Sequence, residues 1–60
     1  MKKYYSSNEE LNEILVNNGI ELTCNDDMEI IISDEDAERI PAIVREQAEA
    51  AINDYSIEEA

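Results

Sequence analysis

The side chains able to do chemistry in this sequence are almost all carboxylates: 16 Asp and Glu stand against 4 Lys and Arg, with one cysteine and no histidine. Nucleophilic catalysis needs a base beside the nucleophile, and Cys24 has no histidine and no adjacent cation to activate it. Its place in the alternation Ile20, Leu22, Cys24 predicts a small residue buried on a strand. Paired carboxylates can perform acid–base work, but so many on 60 residues pair by chance, and so short a chain leaves no room for a deep cleft. No enzyme is expected. Asn25-Asp26-Asp27 gathers oxygen ligands but lacks the glycine and the bidentate glutamate of a calcium loop, so it reads as a turn. With one cysteine and no histidine a zinc site has no ligands, and a single glycine makes no phosphate loop. No metal and no cofactor are expected.

What remains is the acidity itself. The net charge of −12 exceeds the magnitude of about 2–8 that keeps a small domain soluble, and it repels phosphates and anionic lipids. The expected partner is therefore a basic protein, with no direct contact to nucleic acid or membrane. Alternate strand residues stand about 6.6 Å apart and helical turns about 5.4 Å apart, of the order of the separation of neighbouring phosphates on one strand. Glu21, Asp26, Asp27, Glu29, Asp34, Glu35, Asp36, Glu38, Glu46 and Glu49 are the residues expected to present such a surface to a nucleic-acid-binding groove. A different reading uses apolar residues outside the expected core. Ile31, Ile43 and Ala50 would then form the interface of a small structural or regulatory interaction module, antitoxin-like or adaptor-like, open to homodimerisation.

The elements that must position these residues follow from period. Ser7 with Glu10 has capping-box spacing, Leu11, Ile14 and Leu15 share a helical face, and Asn17-Asn18-Gly19 supplies a stop, predicting a helix over 7–18. Alternation then predicts a hairpin of 20–24 with 28–33 around the acidic turn, with Met28, Ile30 and Ile32 facing inward. Ser33 before Asp34-Glu35-Asp36 opens a second helix whose stripe of Ala37, Ile40, Pro41, Val44, Ala48, Ala51, Ile52 and Tyr55 reaches residues 53–55, kinked or broken near Pro41. The expected fold is α+β, one small domain over residues 1–60 in α-β-β-α order, with a two-stranded antiparallel hairpin packed on two helices. Residues 1–6 and 56–60 are expected to fray. Lys2-Lys3 is followed by Tyr4-Tyr5-Ser6-Ser7 rather than an apolar run, and no apolar stretch could span a bilayer, so a cytoplasmic protein is expected. Composition lies near the disordered class, but apolar residues placed with clear period favour folding.

Size, acidity, the absence of His and Trp, and an acidic hairpin followed by a helix resemble the small phage-encoded inhibitors of host defence, anti-CRISPR and other DNA-mimic proteins among them. Ile40-Pro41-Ala42-Ile43-Val44 with Glu46, Ala48 and Ala50 is similar to the C-terminal helix of some small acidic type I anti-CRISPR proteins. The resemblance covers the stretch from Ile40 to Ala50. It implies a Cas effector as partner, blocked in its access to guide or target, in the cytoplasm of a host bacterium.

Overall fold

The computed structural model describes residues 1–60 and runs β1 (Lys2–Ser6), α1 (Glu9–Asn17), β2 (Thr23–Cys24), β3 (Ile30–Ile32), α2 (Asp34–Gln47) and β4 (Tyr55–Glu59), with a 3-10 turn at Glu49–Ala51. The fold is a small α+β domain of two helices and a four-stranded antiparallel sheet in the order β2-β3-β1-β4. The order β-α-β-β-α-β replaces the expected α-β-β-α, because the two segments expected to fray are strands. β1 lies inside the sheet, with Lys2 to Tyr4 opposite Ile32 to Ile30 and Lys2 to Ser6 opposite Glu59 to Tyr55. A two-stranded hairpin is marginal in water, and the terminal strands supply the two further strands it needs.

Local chemistry explains where each element starts and stops. Asn8, one residue later than Ser7, caps α1: its Oδ1 accepts from the Leu11 N–H at 3.1 Å, while the Ser6 hydroxyl accepts from the Asn8 N–H. At the other end Ile20 N–H reaches the Leu15 carbonyl and Gly19 N–H the Val16 carbonyl, a Schellman stop with Gly19 at φ 88°. That stop draws Ile20 out of the expected strand and buries it, leaving only Thr23–Cys24 to pair. Ser33 caps α2 as expected, its hydroxyl accepting from Asp36 N–H at 3.1 Å. α2 then runs unbroken from Asp34 to Gln47 with Pro41 on its exposed side, and the break or kink expected there is not confirmed. Pro41 has no N–H to offer the carbonyl one turn back, but its ring faces away from the packed stripe.

The core is Tyr4, Leu11, Leu15, Ile20, Ile32, Ala37, Ile40, Ile43, Val44 and Ala51, with Ile14, Leu22, Ile30, Ala48, Tyr55 and Ile57 packed against it. Tyr4 binds strand to helix: its ring lies 6.3 Å from that of Tyr55, and its hydroxyl donates to Asn12 Oδ1 at 2.7 Å. Burial raises the Tyr4 hydroxyl pKa. Three expected inward positions fall elsewhere besides Pro41: Ile52, which follows the 3-10 turn beyond the end of α2 and is exposed, Met28 and Cys24. Met28 is 86% exposed at φ 62°, because Asn25 Oδ1 accepts from the N–H groups of Asp27 and Glu29 and lengthens the turn through Met28. Cys24 is exposed, since β2 is a two-residue edge strand that the helices do not cover.

Candidate functional site

Both helices pack on the sheet face that carries Tyr4, Ile30, Ile32 and Ile57, so the outward surface of the helical layer is one side of the molecule. On α1 that surface carries Glu9, Glu10 and Glu13 with no cation in the helix; on α2 it carries Glu35, Glu38 and Glu46 with one cation, Arg45, followed by Glu49 in the 3-10 turn. All seven are exposed, and none makes a salt bridge or accepts a side-chain hydrogen bond. Asp26 and Asp27 project from the hairpin tip, exposed and equally free of cation partners.

Of the remaining expected acids, Asp36, Asp34 and Glu29 are engaged in holding the fold, whereas the Glu21 carboxylate has no partner. Asp36 pairs with Arg39 at 3.7 Å and accepts from Glu21 N–H at 3.3 Å, which fastens the segment after Gly19 to α2. Glu21 itself is exposed. Asp34 binds the N-terminal ammonium at 3.2 Å. Glu29 lies on the opposite, uncovered face of the sheet, where Lys3 Nζ approaches its Oε2 to 3.3 Å and the Tyr5 hydroxyl donates to the same oxygen at 3.1 Å. Those two bonds hold the Glu29 carboxyl below its ordinary pKa, and Glu29 holds Lys3 above its own. Partial burial and the same carboxylate raise the Tyr5 hydroxyl. Lys2 is raised by its bond to Glu59.

Of the ten acids expected to form one surface, the structure brings Glu35, Glu38, Glu46 and Glu49 to the helical side and Asp26 and Asp27 to the hairpin tip. Glu9, Glu10 and Glu13 belong with them and were missed; their position opposite Leu11 and Leu15 on a nine-residue helix is the signal that could have found them. The expected apolar interface does not assemble. Ile43 is 8% exposed and belongs to the core, because at about 100° per residue the packed arc of α2 runs about 120° from Ile43 through Ile40 and Val44 to Ala37. Ile31 pairs across the uncovered sheet face with Lys3 and Thr23, whereas Ala50 borders a hollow between α1 and the 3-10 turn, on the helical side.

No group of three or more Cys, Asp or Glu side chains converges as metal ligands, and no helix is long and apolar enough to cross a membrane. The fold and surface define a small acidic α+β domain with its helices on one face of an antiparallel sheet. No protein-family model, no curated protein and no solved structure matches the chain, so its function is argued from its own residues.

Proposed function

We propose that this protein is an acidic inhibitor that occupies a basic nucleic-acid-binding groove of a partner protein, standing in for a phosphate backbone. The observation that supports the reading is the division of charge. Seven carboxylates on the helical side have no cation partner and share that side with one free cation, Arg45, while Lys2, Lys3 and Arg39 are taken up by Glu59, Glu29 and Asp36. A lysine- and arginine-lined groove that binds such a surface releases the counterions of both, so affinity falls steeply with salt. A Cas effector is the partner that the resemblance to small phage-encoded inhibitors suggests; a restriction enzyme or another DNA-processing protein of the bacterial cytoplasm offers the same chemistry. The action is binding, without catalysis. The alternative module built on Ile31, Ile43 and Ala50 is less well supported, because Ile43 is in the core and the other two residues lie on different sides.

The test is retention of basic nucleic-acid-binding proteins from a bacterial lysate on the immobilised domain, beside beads carrying a scrambled peptide of equal charge. A partner held by the domain alone and displaced by free DNA is the expected outcome. Glu35→Lys with Glu38→Lys weakens that partner's binding and flattens its dependence on salt. Binding unchanged by the double reversal excludes the helical side as the site.

A further inference from the structure

β4 is an open edge five residues long, and the ladder shows which of its backbone groups are free. Ala60 N–H donates to the Met1 carbonyl, which makes 1 and 60 a hydrogen-bonded pair. By the alternation of an antiparallel ladder, Glu58 and Ser56 then turn their N–H and C=O toward β1, and Tyr55, Ile57 and Glu59 turn theirs away from the sheet. The Asn25 N–H to Glu29 carbonyl bond at the far side of the sheet fixes the same phase through β3 and β1. No loop or side chain hydrogen-bonds the outward groups of β4.

Beside this edge lies a hollow floored by Ala37 and Ile57, with Lys2, Asp34 and Glu38 around it. Asp34 is held by the N-terminal ammonium and Lys2 by Glu59, so Glu38 is the carboxylate left without a cation. On the other face of the strand Glu58 is exposed and equally free. A strand added along β4 thus meets an unpaired carboxylate on each face, with an apolar floor for the stem of a long side chain on one of them.

We propose that the β4 edge accepts an extended, lysine- or arginine-bearing segment of a partner protein as a fifth strand. The backbone groups of Tyr55, Ile57 and Glu59 supply the hydrogen bonds, and Glu38 and Glu58 select the charge. A second copy of this chain is the wrong occupant. Antiparallel pairing about Ile57 sets Glu58 opposite Ser56 and Glu59 opposite Tyr55 of the other copy, so it supplies no cation to Glu38 or Glu58 and joins two bodies of −12 each. The inference does not rest on the groove-binding reading, because the neutral backbone of β4 imitates no phosphate.

At 60 residues the full chain is within reach of chemical synthesis, so N-methylation at Ile57 can delete one outward N–H and leave every side chain in place. The probe is a seven-residue peptide alternating lysine and valine; its control alternates lysine and glycine at equal charge. The expected result is tighter binding of the lysine–valine peptide, slowed amide exchange at Ile57 and Glu59, and about tenfold weaker binding by the N-methylated protein at an unchanged melting temperature. If the N-methylated chain does not fold, Glu59→Pro against Glu59→Gln makes the same comparison recombinantly. Equal affinity for both peptides with unprotected β4 amides overturns the proposal, as does a concentration-dependent dimer blocked by N-methylation. Neither version of the test alters the free carboxylates of the helical side, so failure here leaves the groove-binding reading standing.

Discussion

Met28 is held at φ 62° with its side chain in solvent, so it bears the cost of a left-handed backbone without burial in return. Met28→Gly should raise stability by about 0.5–1 kcal/mol, the relief of that strain less the extra freedom glycine gives the unfolded chain. Denaturant midpoints at constant slope check this. Glu29 carries the pH dependence of the uncovered sheet face. Its folded pKa is depressed, so its contribution is present above the ordinary value of 4.5 and is lost as pH falls through the folded value. Lys3 and Tyr5 are raised, so theirs are present below 10.5 and 10.0 and are lost as pH rises through the folded values. Glu29→Gln should therefore destabilise the protein between those limits, and the gap from wild type should close below pH 4.5. Unfolding titrations at a series of pH values read the difference directly.

Among the elements, the stop of α1 and the start of α2 were the legible part, whereas the end of α2, expected at residues 53–55, falls at Gln47. Gly19 stops α1 and Ser33 starts α2 because both act on the backbone next to them, and such local chemistry is written in adjacent residues. β1 was hidden because Lys2-Lys3-Tyr4-Tyr5 puts a lysine and a tyrosine on each face, which cancels the period of two. β4 does alternate, Tyr55 and Ile57 against Ser56 and Glu58, but two apolar residues after a helical stripe read equally well as its continuation. The rotation of α2 was misjudged for a related reason. With only a hairpin to cover, the arc centred on Ala37 sufficed; a four-stranded sheet takes Ile43 as well. Ile43→Glu should therefore unfold the domain rather than disrupt a surface contact, as loss of the cooperative melt will show. Pro41 lies on the solvent side of a continuous helix, where it removes a hydrogen bond and contributes nothing to the core. Pro41→Ala should stabilise the protein by about 1–3 kcal/mol.

At the scale of the molecule, ten buried residues, none of them polar, oppose the mutual repulsion of a net charge of −12 within 30 × 21 × 19 Å. The screening length of about 8 Å at physiological ionic strength is shorter than every one of these dimensions, so the repulsion that matters is between neighbours on one surface. Raising sodium chloride from about 0.01 M to about 0.5 M should increase the melting temperature, most steeply at the low end, where the screening length shrinks from about 30 Å. A melt that does not respond to salt would mean that the free carboxylates are too far apart to repel.

The neighbours of β1 belong to the second half of the chain, Ile30 to Ile32 on one side and Tyr55 to Glu59 on the other. During synthesis the strand made first therefore stands without either neighbour while α1 forms beside it, and its second flank is filled only when residue 59 can reach residue 2. Helix α1 and the β2–β3 hairpin can form on their own schedule, but the β1–β4 ladder joins residue 2 to residue 59 and closes over nearly the whole chain. A nascent chain of this protein shows its surroundings the open flank of β1 until β4 arrives, although all ten buried residues, the last of them Ala51, have by then been made.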